Sequence, residues 1–175
     1  MDLTRFHHNI QTTRMSKVIV IKEKETTERK QMMEVETAWF AENAQLNYVK
    51  NLLLGVSFEA ESLVRRELAL KLAGYKQQDV KKEKYDGEKF ITFDELVELL
   101  VVSKMRCKYC MKQLFILYEK QREKVQWTLD RVDNEEGHNN ANVILACLDC
   151  NLRRRRLDAD KFLFTKQMNL VKMDG

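Results

Sequence analysis

The chain has 175 residues, of which 44% are hydrophobic and 33% are charged, and its formal net charge is +4. This length allows one well-buried domain or two small ones, and the longest apolar runs fall far short of the roughly 20 residues that a membrane span needs. Because the N-terminus also lacks an apolar run of signal-peptide length, we expect an intracellular protein, cytoplasmic or nuclear, that is neither secreted nor embedded in a membrane.

Three segments are predicted from the pattern along the chain. Residues 1–35 form a polar arm that we expect to be flexible, apart from a short apolar run at residues 18–21 that is compatible with an edge strand. Residues 36–104 show the apolar spacing of helices. Residues 105–175 contain every cysteine and show strand-like runs, so we predict a separate small domain there.

The helical segment is predicted to contain three helices. The first ends at Gly55, and the second runs from about Ser57 to Gly74. A charged connector follows Gly74, and the third helix then begins at a capping-box sequence formed by Thr92 and Glu95.

The C-terminal segment is predicted to begin with a hairpin. Runs at residues 114–118 and 125–129 have strand composition and are joined by a charged turn. Residues 133–137 have the composition of a loop, and residues 151–168 are predicted to form one final helix.

Every cysteine belongs to one of two C-x-x-C pairs, Cys107 with Cys110 and Cys147 with Cys150. Deprotonated sulfur is the preferred zinc ligand, and a two-residue spacer lets both thiolates reach one ion, so we predict a structural Zn²⁺ site. In a secreted protein the same cysteines could form two disulfides instead. The intracellular expectation favours metal binding.

The residues between and after the two cysteine pairs form a second pattern. In chain order they are Leu129-Asp130-Arg131-Val132-Asp133, Gly137-His138, Asn142-Val143 and Asn151. Together with the cysteine pairs, this order and spacing resembles the HNH endonucleases, the ββα-metal nucleases, over about residues 105–160. The resemblance implies a small zinc-stapled ββα-metal domain of treble-clef-like form, which together with the helical N-terminal region predicted from the apolar spacing gives an α+β chain.

The resemblance implies a role for each matched residue. Asp130 and Asn151 match the ligands of a catalytic divalent ion, Mg²⁺ or Mn²⁺, and the four cysteines match an accessory structural zinc site. Asn142 matches an asparagine that braces the intervening loop through backbone hydrogen bonds. A carboxylate and an amide are too few ligands for Mg²⁺, so waters and substrate phosphate oxygens would complete the site. The implied activity is hydrolysis of phosphodiester bonds in DNA.

Arg131 departs from the family pattern, because a histidine that serves as general base usually follows the aspartate. Arginine stays protonated, so Arg131 cannot accept a proton, although it can hold a phosphate or stabilise transition-state charge. His138 lies in the adjoining loop and is our candidate for a substitute base. Two alternatives stay open: His138 is a turn residue hydrogen-bonded locally, or metal-bound or bulk hydroxide attacks without a protein base.

An arginine run follows Asn151, at residues 153–156, and the whole of residues 101–175 is basic, with 15 Lys and Arg against 10 Asp and Glu. Cations near a helix N-terminus are unfavourable unless an anion lies there. We therefore predict that Arg153, Arg154, Arg155 and Arg156 contact DNA phosphates together with Arg131. The alternative is a solvated charge run or a patch resembling an import signal.

A second function remains open from the sequence alone. The chain could be a non-catalytic zinc module of treble-clef type that binds nucleic acid or protein, and the missing histidine favours this reading. The presence of both Asp130 and Asn151 favours the endonuclease, because a binding module needs neither.

Overall fold

The computed structural model describes residues 27–30 and 35–168, and within them the chain is an α+β protein with one two-stranded sheet. In chain order the elements are α1 (Glu42–Leu54), α2 (Glu61–Lys81), α3 (Phe93–Val102), β1 (Trp127–Arg131), β2 (Val143–Cys147), α4 (Leu148–Arg154) and α5 (Ala159–Gln167). The mixed class agrees with the sequence-based expectation.

Only part of the predicted N-terminal arm belongs to the described residues, and the possible strand at 18–21 lies outside them. Residues 27–30 contact the folded chain. Arg29 forms an ion pair of 2.5 Å with Glu67 of α2, and Glu28 pairs with Lys120 in an antiparallel bridge. This short stretch of the predicted arm is therefore attached to the folded chain, and the rest of the expectation for residues 1–26 and 31–34 lies outside the described residues.

Helix α1 follows a 3-10 turn at Thr37–Phe40 and ends at Gly55, as predicted. Gly55 adopts a φ of +65°, and its N–H donates to the carbonyls of Asn51 and Leu52. Glycine adopts this left-handed conformation without a steric cost, which explains why the helix stops there.

Helix α2 begins at Glu61 and runs to Lys81, so the predicted end at Gly74 is wrong. A Cβ at Gly74 would meet nothing within 4 Å, so no close contact requires a glycine there. The buried face of α2 continues beyond it to Tyr75 and Asp79. Packing of these residues outweighs the helix penalty of glycine, which is about 1 kcal/mol. The predicted connector therefore begins with the last two turns of a helix.

Helix α3 starts at the predicted capping box. The Thr92 hydroxyl accepts a hydrogen bond from the N–H of Glu95, and the Glu95 carboxylate accepts one of 2.8 Å from the N–H of Thr92. Leu96, Val97 and Leu100 form its buried face. Local sequence and tertiary packing agree in this helix, which is why its start could be predicted.

Strands β1 and β2 pair in an antiparallel register in which Trp127 faces Cys147 and Asp130 faces Ile144. The predicted hairpin between residues 114–118 and 125–129 is therefore wrong. The partner of β1 is β2, the segment that leads into the second cysteine pair.

The 114–118 segment contacts the other predicted strand only through Phe115, which forms an isolated parallel bridge with Gln126. Phe115 donates to the carbonyl of Val125 and accepts from the N–H of Trp127, both at 3.1 Å, whereas a side chain occupies the backbone groups of the next two residues. Gln45 of α1 is fully buried, and its Oε1 accepts hydrogen bonds from the N–H groups of Ile116, at 2.9 Å, and Leu117, at 3.1 Å. Its Nε2 donates to the carbonyl of Leu117. These bonds satisfy the polar groups that a sheet would otherwise pair.

The predicted helix over residues 151–168 is divided in two. Helix α4 ends at Arg154, and Arg155 has a φ of +53°, which no helix can continue through. The carboxylate of Asp158 then accepts a hydrogen bond of 2.9 Å from the N–H of Lys161 and caps α5.

The hydrophobic core is continuous across the predicted domain boundary at residues 104 and 105. One cluster of buried residues includes Val64 and Leu100 from the helical segment and Leu114, Trp127 and Leu145 from the cysteine-bearing segment. Helix α2 thereby lies close to strand β1. Among the described residues, no helix combines the length and apolar character that crossing a membrane requires.

Candidate functional site

The two cysteine pairs come together in space. All four sulfur atoms lie within 4.8 Å of one another, and the Sγ atoms of Cys110 and Cys147 are 3.8 Å apart. Four thiolates around a tetrahedral zinc ion, with bonds of about 2.3 Å, are separated by about 3.8 Å. The cluster therefore has the donor set and the spacing to hold a metal ion.

Backbone contacts join the two pairs. Cys147 ends strand β2 and Cys150 lies in α4, while the loop that carries Cys107 and Cys110 is held by a hydrogen bond of 2.8 Å from the N–H of Lys108 to the carbonyl of Leu145. A metal ion at the cluster would link this loop, the sheet and α4.

The electrostatics of the cluster also favour a cation. Burial raises the pKa of Cys150 to about 12, whereas a hydrogen bond with Cys147 lowers the pKa of Cys107 to about 5. One thiolate thus disfavours ionisation of its neighbours. A bound cation removes this repulsion, because it stabilises all the thiolates together.

Asn142 makes the loop contacts predicted for it. Its Oδ1 accepts a hydrogen bond of 2.8 Å from the N–H of Asp133, and its Nδ2 donates to the carbonyls of Asp133, at 2.9 Å, and Gly137, at 3.0 Å. The side chain is buried. It therefore fixes the loop between β1 and β2 at both ends, as the role from the resemblance requires.

All four residues predicted to be catalytic line one cleft of about 270 Å³. They are Asp130, Arg131, His138 and Asn151. Helix α2 and the residue after it contribute Tyr75, Gln78 and Lys82 to the lining. Arg155, the residue after α4, also lines the cleft. The cleft thus combines the predicted residues with side chains from a helix that has no counterpart in the resemblance.

Asp130 is engaged in a buried ion pair that the sequence reasoning missed. Arg154 donates to its carboxylate in a bidentate geometry, from Nε to Oδ2 at 2.6 Å and from Nη2 to Oδ1 at 2.8 Å. The hydroxyl of Tyr109 donates a further hydrogen bond of 2.7 Å to Oδ2. Burial and the nearby carboxylate hold the pKa of Tyr109 above its usual range, so its hydroxyl keeps the proton that it donates.

This ion pair removes Arg154 from the predicted phosphate contacts. Its side chain is fully buried and also donates to the carbonyl of Leu157 at 2.6 Å. The expectation that Arg154 binds DNA is therefore wrong in this conformation. Its position was readable from the sequence, because Arg154 lies three residues after Asn151 and so shares the helix face that meets β1.

The side-chain oxygen of Asn151, Oδ1, has no hydrogen-bond partner within the described part of the chain. Its Nδ2 donates to Thr128 Oγ1 at 3.0 Å and to the carbonyl of Leu129 at 3.1 Å, which orients the amide against β1. Asp130 Oδ1 accepts one hydrogen bond and so retains capacity for another contact. Carboxylate and amide oxygens are ligands that Mg²⁺ and Mn²⁺ accept, so the catalytic ion expected from the sequence stays a prediction at these two oxygens.

His138 forms a buried pair with Asp79 of α2. Its Nδ1 lies 2.8 Å from Asp79 Oδ1, and its backbone N–H donates to Asp79 Oδ2 at 2.6 Å. The ring also packs on Tyr75, with 4.5 Å between ring centroids. Burial lowers the pKa of His138, and the hydrogen bond to Asp79 acts in the opposite direction. The imidazole of His138 therefore hydrogen-bonds to a residue 59 positions away, and not locally as the turn-residue alternative expected.

Sequence reasoning missed Asp79 because it ended α2 at Gly74. Had the helix been extended, Asp79 would have followed Tyr75 by four residues on the buried face. A buried carboxylate on an apolar helix face is unusual, and it signals a specific partner.

The remaining arginines differ in their environments. Arg131 donates to the carbonyl of Glu136 at 3.0 Å and lines the cleft. Arg153 pairs with Asp149 at 3.0 Å on the exposed face of α4. Arg155 and Arg156 are exposed, and of these two only Arg155 lines the cleft. Arg131 and Arg155 are therefore best placed to contact a phosphate in the cleft.

Comparisons with known proteins identify no relative of this chain. No protein-family model, no curated protein and no solved structure matches it. The resemblance to HNH endonucleases therefore rests on the residues described above and stays a prediction.

Proposed function

We propose that this chain is a metal-dependent HNH-type endonuclease that hydrolyses phosphodiester bonds in DNA, with a structural Zn²⁺ ion at the four cysteines. The observation that carries the proposal is the single cleft lined by Asp130, Arg131, His138 and Asn151. These residues are separated along the chain, and a binding module has no evident need to bring them together around one opening.

The charge of the cleft favours a phosphate. Lys82, Arg131 and Arg155 supply cationic groups, while the negative charge of Asp130 is balanced by Arg154. The cleft is also large enough for a phosphate group and several waters, since a water occupies about 30 Å³. We expect Arg131 and Arg155 to hold the DNA backbone without reading its sequence.

The chemistry requires a nucleophile and a stabilised leaving group. His138 is the candidate acceptor for the proton of the attacking water, and Arg131 stabilises charge that develops on the phosphoryl oxygens. When bound at Asn151 and Asp130, Mg²⁺ or Mn²⁺ supplies positive charge next to the phosphate and the leaving 3′ oxygen.

One observation favours the non-catalytic alternative. Both oxygens of Asp130 accept hydrogen bonds from Arg154, and Oδ2 also accepts one from Tyr109, so this carboxylate has a complete structural role without a catalytic ion. A treble-clef zinc module that binds nucleic acid through Arg131, Arg155 and Lys82 would use the same surface. It would bind DNA without cleaving it.

Nicking of supercoiled plasmid by the zinc-loaded protein separates the two functions. We expect the wild type to nick in Mg²⁺ or Mn²⁺ between about pH 6 and pH 9, and Asn151→Ala to lose at least about 100-fold in rate. Asp130→Asn is preferable to Asp130→Ala, because its one amide oxygen still accepts from Arg154 and Tyr109, although the second contact with Arg154 is lost.

Lys50→Ala serves as the matched control, since Lys50 is exposed on α1 and does not line the cleft. It should nick as the wild type does. DNA binding without nicking by the wild type would support the zinc-module alternative, and equal nicking by the wild type and Asn151→Ala would indicate a contaminating nuclease.

A further inference from the structure

The buried carboxylate of Asp79 lies outside the segment that resembles HNH endonucleases, yet it contacts a residue of the cleft. We propose that Asp79 is a positioning residue that orients His138 as the proton acceptor of the site, so that helix α2 completes the catalytic centre. This inference rests on the proposed function, and it adds a residue and an element that the sequence pattern does not contain.

The contact geometry constrains both the backbone and the ring of His138. Asp79 Oδ2 accepts from the backbone N–H of His138 at 2.6 Å, and Oδ1 lies 2.8 Å from its Nδ1. Asp79 is fully buried and His138 is 4% exposed. Two hydrogen bonds to one carboxylate, together with the packing of Tyr75 on the ring, leave the imidazole little freedom to rotate.

The close approach of the loop to α2 depends on the residue before His138. A Cβ on Gly137 would lie 2.3 Å from the carbonyl oxygen of Lys84 and 3.0 Å from Asp79 Oδ2. Only glycine allows the loop to come this near to the end of α2. The loop and the helix are therefore built to meet at the Asp79–His138 pair.

The carboxylate determines which ring nitrogen carries the proton. An ionised carboxylate only accepts hydrogen bonds, so Nδ1 must donate and the neutral ring must carry its lone pair on Nε2. Nε2 makes no hydrogen bond within the part of the chain that the structure describes, and His138 lines the cleft. A neutral imidazole with a free Nε2 is the form that a general base requires.

The charged groups facing His138 come from two elements. Asp79 and Lys82 belong to α2 and its end, and Arg131 belongs to β1. Burial and the two cations disfavour the imidazolium, whereas Asp79 favours it. The ring is therefore neutral before reaction, and Asp79 stabilises the positive charge that appears when the ring accepts a proton.

An O–H bond of water breaks and its proton goes to Nε2, while the water oxygen forms a bond to phosphorus. The bond between phosphorus and the 3′ oxygen breaks, and its electron pair stays on that oxygen, which takes a proton from solvent. The imidazolium then returns its proton to solvent.

The first test is the protonation state of the imidazole, which nitrogen-15 NMR reads without any activity. Because the chain has three histidines, the measurement uses a variant in which His7 and His8 are replaced by Gln. We expect a neutral His138 with the proton on Nδ1 at about pH 7.5, and a shift toward the Nε2-protonated form in Asp79→Asn, whose amide can donate to Nδ1. A wild-type ring protonated on Nε2 would overturn the proposal.

The second test is kinetic. Asp79→Asn should lower kcat for plasmid nicking by about 100-fold to 10,000-fold with little change in KM, and Asp79→Glu should recover part of the loss. Burial lowers the pKa of His138 below the usual histidine value of about 6.5, so the wild-type rate should fall only as the pH drops below that value. This acidic limb should be absent in His138→Ala. The variant that combines Asp79→Asn with His138→Ala should be no slower than His138→Ala alone, because both changes act on the same Asp79–His138 pair.

Asp86→Asn is the matched control, because Asp86 is a half-exposed carboxylate beyond the end of α2 that does not line the cleft. It pairs with Lys89 and accepts hydrogen bonds from the N–H groups of Glu88 and Lys89, which an asparagine oxygen also accepts. It should leave the nicking rate unchanged. If Asp79→Asn retains its fold and zinc and nicks at the wild-type rate, the proposal fails while the endonuclease stands. If the wild type never nicks, the endonuclease fails, and the kinetic role of Asp79 fails with it, whatever the NMR shows.

Discussion

Arg154 holds the carboxylate of Asp130 in a bidentate ion pair, with contacts of 2.6 and 2.8 Å, and both side chains are buried. The pair joins the end of β1 to the end of α4, the two elements that carry the predicted ligands of the catalytic ion. Arg154 therefore holds Asp130 in place and does not itself line the cleft. A guanidinium suits this task, because its planar donors match both carboxylate oxygens.

Replacing Arg154 should destabilise the fold much more than replacing its neighbour. In Arg154→Met, Asp130 keeps its charge in a buried environment without its partner, and such a change costs about 3–5 kcal/mol. Arg153→Met breaks only an exposed pair with Asp149, which is worth about 0.3–0.5 kcal/mol. Urea unfolding in the presence of zinc measures both. Similar losses in the two variants would contradict the buried ion pair.

Removing the metal should unfold the C-terminal part of the chain. The four cysteines connect a loop, β2 and α4, and structural zinc contributes on the order of 10 kcal/mol to small folds. We expect about one zinc ion per chain by elemental analysis. A chelator should abolish the thermal transition, zinc should restore it, and Mg²⁺ should not. Metal-free protein with an unchanged melting curve would rule out the structural ion.

Replacing Gly137 or Gly74 with alanine should change the stability of the folded chain in opposite directions. Gly137→Ala places a Cβ 2.3 Å from the carbonyl oxygen of Lys84, so the loop must move away from α2, and we expect a loss of about 1–3 kcal/mol. Gly74→Ala meets nothing within 4 Å inside α2 and should stabilise by up to about 1 kcal/mol. Thermal denaturation of the two variants measures whether each one is less or more stable than the wild type. A stable Gly137→Ala variant would show that the loop is not held close to the helix.

The arginines after Asn151 should contribute unequally to DNA binding. Arg155 lines the cleft, whereas Arg153 pairs with Asp149 away from it. In a plot of log affinity against log salt concentration, Arg155→Gln should reduce the slope by about 0.9, the loss of one phosphate contact. Arg153→Gln should change the slope less. Equal effects would indicate a diffuse basic surface without a defined path for the phosphate.

The predictions that succeeded concern residues whose contacts lie close in sequence or whose chemistry allows one arrangement. Gly55 ends α1 and Thr92 caps α3 through local hydrogen bonds. The cysteines converge because paired thiols with this spacing suit one ion, and Asn142 hydrogen-bonds the loop that precedes it. In these cases the contacts that determine the structure lie within a few residues of one another, or the side chains are ligands that suit a single ion.

The predictions that failed depend on contacts between distant residues. The 114–118 segment has strand composition, but only Phe115 pairs with the 125–129 segment, in a parallel bridge, and Gln45 of α1 satisfies the backbone of Ile116 and Leu117. Gly74 looks like a helix end, but packing beyond it extends α2 to Asp79. Local propensity is a weak term compared with burial, so neither outcome could be read from the pattern around the residue itself.

The most direct measurement is cleavage of DNA by zinc-loaded wild-type protein in water enriched in oxygen-18, with Mg²⁺ or Mn²⁺ present. Hydrolysis predicts one oxygen-18 atom in the 5′-phosphate of each new end, an unlabelled 3′-hydroxyl, and loss of this product in Asn151→Ala. Folded, zinc-loaded protein that binds DNA but yields no labelled 5′-phosphate with either ion would contradict the endonuclease.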